Sequence, residues 1–157
     1  MRFTTLYRPM TALLFTALTA TAAIAQQAPR NLAQEEANRQ LVVEFYHQNF
    51  NQHQVDQATK VMADDYIQHN PLVPNGKAPF VSFFKGFFAK NPNAKSKIVR
   101  TAADGDLVWL HIHATNGEND RGQAIIDVFR VKDGKIVEHW DVIQDVPEKA
   151  ANHNTMF

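Results

Sequence analysis

Residues 127–141 read DVFRVKDGKIVEHWD, and this stretch decides the fold class. Asp133-Gly134 lies near its centre, and an Asp-Gly pair between two runs rich in Val, Ile and aromatic residues predicts a β-hairpin. Moving outward, Asp104-Gly105 separates two further runs of the same kind. The predicted strands cover residues 97–102, 107–115, 123–131 and 135–144. The carboxyl-terminal half is therefore predicted to be an antiparallel meander.

The preceding half carries helical patterns. Apolar residues recur at helical spacing over 32–50, and a shorter helix is predicted over 55–62, ended by Asp64-Asp65. Residues 66–69 are predicted to be extended. The segment 77–90 has its apolar stripe at Phe80, Phe83, Phe84, Phe87 and Phe88. Helices followed by a meander predict an α+β fold with a curved sheet packed against the helices.

The amino terminus has the pattern of a signal peptide. Arg2 and Arg8 supply positive charge, an apolar stretch covers 10–20, and Ala23-Ile24-Ala25 matches an A-x-A cleavage site. The apolar stretch is short for a membrane span, although an uncleaved membrane anchor is the alternative. We therefore predict export to the periplasm or the medium, with no stable membrane span after cleavage.

These patterns divide the chain into four parts. Residues 1–25 are the predicted signal peptide, 26–31 a polar leader, 32–146 one folded domain and 147–157 a polar carboxyl-terminal tail.

Composition excludes several classes of function. The chain has 16 Lys and Arg against 16 Asp and Glu, so it lacks the basic field that nucleic-acid binding needs. The absence of cysteine excludes disulfides, thiolate catalysis and cysteine-ligated zinc. No nucleophile-elbow or phosphate-loop motif occurs. The expected partner is a small molecule.

Each predicted strand mixes apolar residues with a His or Asp on one face. Alternation places Trp109 and His111 together on the second strand of the meander, Asp127 and Phe129 on the third, and His139 and Asp141 on the last. An unpaired polar group in a core costs about 1–3 kcal/mol, so an ordinary buried face would avoid such residues.

The functional interpretation is a pocket with an acid/base set, comprising His69, His111, Asp127, His139 and Asp141. The alternative is that these groups pair with one another or face water. The predicted apolar wall of the pocket is formed by Phe80, Phe84, Phe87, Trp109 and Phe129.

One pattern in the sequence is compatible with a metal site. His111-x-His113 places two imidazoles on one side of a strand, and Asp127 or His139 would complete a ligand set. Two histidines alone are a weak signal, so no metal and no cofactor are predicted.

Residues 66–71 (YIQHNP) together with 127–141 resemble the SnoaL-like polyketide cyclase family of the nuclear transport factor 2-like (NTF2-like) superfamily. The resemblance extends over about 32–146. It implies a cone-shaped α+β fold in which a curved antiparallel sheet and amino-terminal helices enclose a deep pocket. It also implies an intramolecular aldol condensation without metal or organic cofactor.

The resemblance implies roles for individual residues. Asp127 would be the acid/base, and His69, His111 and His139 would be electrophilic or orienting partners. Asp141 would hold a neighbouring histidine in the required tautomer.

Three functional hypotheses follow. The first is a cofactor-independent lyase or isomerase, of aldol, cyclase or isomerase type, acting on a small carbonyl compound. The second is a non-catalytic binding protein for an apolar small molecule, indicated by the phenylalanine stripe, Trp109 and Trp140. The third is hydrolysis by water activation, which is least favoured because no Asp-Arg-Asp set is evident.

The resemblance also implies a homodimer, since related domains often pair through the outer sheet face. The residues predicted to make that face apolar are Ile126, Val128, Ile136, Trp140 and Val142.

Overall fold

The structure is a computed structural model that describes residues 29–157. The predicted signal peptide and the first residues of the leader lie outside the described residues. Within 29–157, no helix combines the length and the apolar character that crossing a membrane would require.

Three helices and five strands make up the domain. Their bounds are α1 Leu32–Phe50, α2 Val55–Ala58, β1 Met62–Gln68, α3 Lys77–Lys90, β2 Ala94–Asp104, β3 Leu107–Asn116, β4 Gln123–Lys132 and β5 Lys135–Asp145. A 3-10 turn, Thr59–Val61, joins α2 to β1. The predicted helices over 32–50 and 77–90 and both Asp-Gly hairpins are confirmed.

The end of the leader is held against the domain. The Asn31 side chain caps α1 by accepting from the backbone N–H of Gln34 at 3.1 Å. Arg30 pairs with Glu35 and donates to the carbonyl of Ala103 at 3.0 Å. These contacts tie the start of α1 to the end of β2.

The second helix is shorter than predicted. It was expected to reach Met62, with Asp64-Asp65 as the break, whereas Met62 is already the first residue of β1. Met62 is buried and in register with Ile136 of β5. Pairing with the sheet therefore overrides the local helical pattern, which spanned barely two turns.

The five strands form one curved sheet in the order β1-β5-β4-β3-β2. The strands β2 to β5 are the predicted antiparallel meander, and β1 adds to its edge in parallel with β5. The inner face packs on α1 and α3 through a core that includes Val42, Phe45, Phe80, Leu110, Ile112 and Phe129. The predicted α+β class is confirmed.

A bulge in β5 changes which residues face the core. Arg130 is in register with Glu138 and Val131 with Ile136, so Val137 has no partner. The alternation therefore resets, and Ile136 is fully buried. The prediction that Ile136 lies on the outer face is wrong for this reason.

This register can be tested with two identical substitutions on opposite faces. Ile136→Ala should lower the free energy of unfolding by about 2–5 kcal/mol, because it leaves a cavity in the core. At a protein concentration too low for pairing through the outer face, Ile126→Ala on that exposed face should change the free energy of unfolding by no more than about 0.5 kcal/mol. Urea denaturation followed by circular dichroism measures both values. Equal effects would contradict the assigned register.

Candidate active site

A cavity of about 720 Å³ lies between the inner sheet face and the helices α1 and α3. Its wall is mostly aromatic and includes Phe45, Phe50, Phe80, Phe84, Phe87 and Phe129. Four of the five residues predicted for the apolar wall thus line it, and Trp109 does not. Its mouth is polar, with Lys95, Asn119 and Arg121 among the lining residues. Such a cavity suits an apolar molecule that carries a few polar groups.

A buried acid and a buried histidine meet in this cavity. Asp127 on β4 is 5% exposed and His139 on β5 is 8% exposed. His139 Nε2 lies 3.1 Å from Asp127 Oδ1. The imidazole ring also stacks on Phe129, with 4.5 Å between ring centroids. The two ionisable side chains therefore lie against aromatic rings.

Asp141 lies next to this pair, directly across the sheet from Asp127. Its two carboxylate oxygens accept from Asn70 Nδ2 at 2.8 and 2.9 Å. Asn70 follows β1, so the parallel pairing of β1 with β5 brings this amide to the site. The resemblance gave Asp141 the role of fixing a histidine tautomer, whereas its hydrogen bonds in the structure are to Asn70.

Gln68, the last residue of β1, is the group that contacts the other side of His139. Its Oε1 atom lies 3.1 Å from His139 Nδ1 and accepts from the backbone N–H of Asn70 at 2.9 Å. Its Nε2 atom donates to the Tyr66 hydroxyl at 3.2 Å. Every polar atom of this side chain is therefore engaged.

Two buried tyrosines complete the polar surroundings. Burial raises the pKa of the Tyr46 phenol well above its usual value, and the neighbouring Asp127 charge adds to the increase. Burial raises the pKa of Tyr66 in the same way, and the charges of Asp127 and Asp141 contribute. Both phenols therefore stay protonated near neutral pH, and Tyr46, which lines the cavity, remains a hydrogen-bond donor.

His69 lies on the opposite side of the sheet from the cavity. Gln68 is in register with His139 and points to the inner face, so the next residue points outward. His69 Nε2 lies 2.8 Å from Glu138 Oε1, and its ring stacks on Trp140 at 4.5 Å. The prediction that His69 belongs to the pocket is corrected by this register.

His111 and Trp109 also lie on the outer face. The register pairs Asp127 with Leu110, so the inner residues of β3 are Val108, Leu110 and Ile112. His111 Nδ1 accepts from Arg100 at 2.8 Å. The sequence contained the signal, because Val108, Leu110 and Ile112 form the purely apolar alternation that a core-facing strand shows.

The carboxyl-terminal tail ends on this same outer face. Phe157 stacks on His113, with 4.0 Å between ring centroids, and lies 5.7 Å from the ring of His111. The His111-x-His113 pair therefore contacts the tail and does not share a face with Asp127 or His139.

Within residues 29–157, the side chains that could hold a metal ion together are Asp127, His139 and Asp141. Their ligand atoms lie within 4.8 Å of one another. Two carboxylates and one imidazole suit a divalent cation in type. The same atoms are already engaged with one another, with Gln68 and with Asn70.

Residues 42–139 match the family model of the SnoaL-like domain. The chain belongs to the SnoaL-like family, and its fold is NTF2-like. The resemblance drawn from residues 66–71 and 127–141 is thereby confirmed. No curated protein matches the chain.

Several solved structures share the fold. A candidate ketosteroid isomerase from Kribbella flavida is 19% identical, with a TM-score of 0.62 over 76% of this chain and 86% of that one. A candidate polyketide cyclase from Bacillus cereus is 23% identical, with a TM-score of 0.55 over 68% and 74%. A SnoaL-like protein of unknown function from Burkholderia thailandensis is 18% identical, with a TM-score of 0.60 over 69% and 96%. At these identities the likeness concerns the fold alone.

Sequence reasoning missed Gln68, Asn70 and Tyr46 as site residues. Gln68 and Asn70 flank His69 in the motif. They differ from His69 in that their side chains contact residues of the cavity, whereas that of His69 points outward. Tyr46 sits on the apolar face of α1, where its pattern is that of an ordinary core residue. No local signal marks it as part of a site.

Proposed function

We propose that the protein is a cofactor-independent acid/base enzyme acting on a small carbonyl compound, in a reaction of aldol, cyclase or isomerase type. The observation that carries this proposal is the Asp127–His139 pair, buried within an aromatic cavity, with the carboxylate of a second acid, Asp141, within 4.8 Å. A carboxylate in such a place is a suitable base for a proton next to a carbonyl.

The proposed chemistry uses three side chains. The Asp127 carboxylate accepts the proton from the carbon beside the carbonyl, and His139 holds that carboxylate in position through its 3.1 Å contact. The Tyr46 phenol donates a hydrogen bond to the oxygen on which negative charge develops. The phenylalanine wall binds the apolar part of the substrate.

The second candidate function is binding without turnover. The aromatic cavity favours it, because phenylalanine side chains bind an apolar molecule whether or not a reaction follows. The two candidates differ in what Asp127 does, since binding alone does not need a base.

Export and pairing are also proposed. The charged start, apolar stretch and A-x-A site of residues 1–25 support export to the periplasm or the medium. The outer sheet face exposes large apolar side chains, namely Ile67, Trp109, Ile126 and Val142, and this supports a homodimer through that face.

Deuterium uptake from D2O into small ketones and β-dicarbonyl compounds tests the enzymatic proposal by mass spectrometry. Asp127→Asn should lower the catalysed rate at least about 100-fold, because it removes the base. His111→Ala is the matched histidine control on the outer face and should keep the wild-type rate. Chelation with EDTA should leave the rate unchanged.

Two outcomes would contradict the enzymatic proposal. A rate that survives Asp127→Asn would exclude Asp127 as the base, and a rate lost on chelation would indicate a metal. The binding function would be favoured if neither the wild type nor Asp127→Asn catalysed deuterium uptake into any compound while Asp127→Asn still retained a bound ligand.

Cleavage of the signal peptide can be measured directly on the exported chain. After expression of the full sequence, the periplasmic fraction should hold a protein whose amino terminus is Gln26. Ala25→Phe should retain residues 1–25, because signal peptidase requires a small residue at that place. A wild-type chain found only in the cytoplasm with residues 1–25 intact would refute export.

Light scattering coupled to size exclusion tests the homodimer. The wild type should elute as a dimer, and Ile126→Glu should give a monomer, because a buried unpaired charge is strongly unfavourable at an interface. Lys132→Glu, at the hairpin end, is the charge-changing control. A monomeric wild type would rule the dimer out.

A further inference from the structure

Gln68 has one orientation that its surroundings allow. The backbone N–H of Asn70 can only donate, and it lies 2.9 Å from one terminal atom of the Gln68 amide. That atom must therefore be the oxygen Oε1, and the Nε2 group faces the Tyr66 hydroxyl at 3.2 Å. A backbone donor thus fixes the direction of the side-chain amide.

The fixed amide determines the protonation of one nitrogen of His139. Because Oε1 is an acceptor, the Nδ1 atom that lies 3.1 Å from it must carry a hydrogen. The other ring nitrogen, Nε2, then faces Asp127 Oδ1 at 3.1 Å. A bare nitrogen lone pair and a carboxylate oxygen repel each other at that distance, so one proton must lie between them.

Two states satisfy this requirement. Either His139 is an imidazolium that donates to an ionised Asp127, or His139 is neutral and accepts from a protonated Asp127. In both states, the pair holds one proton between Nε2 and Oδ1 in addition to the hydrogen on Nδ1.

The other ionisable groups around His139 have no hydrogen bond to its Nδ1 atom. Asp141 on β5 accepts from Asn70 Nδ2 through both oxygens. Tyr66 on β1 stacks on the imidazole at 6.4 Å, and Tyr46 comes from α1; both stay protonated. Neither the tyrosines nor the Asn70-bound Asp141 has a hydrogen bond to Nδ1 that could replace the one from Gln68.

We propose that Gln68 is a positioning residue that holds His139 in its Nδ1–H form, so that the Asp127–His139 pair keeps one transferable proton at Nε2–Oδ1. Without the Gln68 oxygen, neutral His139 adopts the Nε2–H tautomer and donates to the Asp127 carboxylate. The pair then binds one proton fewer. The consequence for turnover rests on the proposed function, whereas the tautomer does not.

Nitrogen-15 NMR of the histidine-labelled protein, through two-bond correlations to the ring protons, tests the tautomer. In the wild type, His139 Nδ1 should show the shift of a protonated nitrogen throughout the pH range in which the protein is folded. The His139 signal is identified by its absence in His139→Gln. A wild-type His139 in the Nε2–H form would overturn the proposal without any further variant.

Gln68→Met removes the acceptor at nearly constant size. We expect His139 to change to the Nε2–H tautomer in this variant. Gln68→Glu keeps an acceptor and should therefore leave His139 in the Nδ1–H form. Gln144→Met, an exposed glutamine on β5, is the matched control and should leave His139 unchanged. An Nδ1–H tautomer that persists in Gln68→Met would show that Gln68 does not set it.

The kinetic arm separates this proposal from the proposed function. In the deuterium-uptake assay, Gln68→Met should lower kcat about 10–100-fold, the range found where a metal-bound histidine loses the partner that fixes its tautomer, with KM changed less than about 2-fold. Gln68→Glu should shift the pH-rate profile to higher pH. If the NMR spectra show the expected tautomers in the wild type and Gln68→Met but no compound takes up deuterium, the enzymatic function is refuted. The role of Gln68 in setting the His139 tautomer is then still supported. Uptake by wild type with kcat unchanged in Gln68→Met would refute the role of Gln68 in turnover.

Discussion

The contact between Asp127 and His139 is the constraint on which the rest of the site depends. Two ionisable side chains lie in an interior formed mostly by aromatic and aliphatic side chains, and burial of a single unpaired charge there would be strongly unfavourable. The pair is tolerable because each member satisfies the other and because partners from elsewhere in the chain satisfy His139 Nδ1 and the neighbouring Asp141. The aromatic wall strengthens these contacts, since electrostatic interactions are stronger beside apolar side chains than in bulk water.

Those partners come from β1, the strand that sequence patterns described least well. β1 lies parallel to β5 at the sheet edge, and this single pairing delivers both Gln68 and Asn70 to the cavity. The amide of Gln68 contacts His139, and the amide of Asn70 contacts Asp141. A neutral amide suits both positions, because it supplies a donor or an acceptor without adding a further charge to the cluster.

The same strands carry a second set of polar contacts on the outer face. His69 contacts Glu138 and Trp140, and Arg130 lies 5.6 Å above the same Trp140 ring. Hydrogen bonds from Arg130 and His69 hold the pKa of Glu138 below its usual value. Histidines therefore occur on both faces of this sheet, and their presence in a strand does not by itself indicate which of them reaches the cavity.

The helices over 32–50 and 77–90, the two Asp-Gly hairpins, the family, and the placement of Asp127 and His139 on adjacent strands all follow from the sequence alone. These features are local or depend on a hairpin register that the turn fixes. The outward direction of His69, His111 and Trp109, the burial of Ile136 by the bulge at Val137, and the approach of Gln68 and Asn70 to the site depend on how the strands pair. Strand faces depend on pairing with a distant strand, and a shift of one residue exchanges the two faces completely.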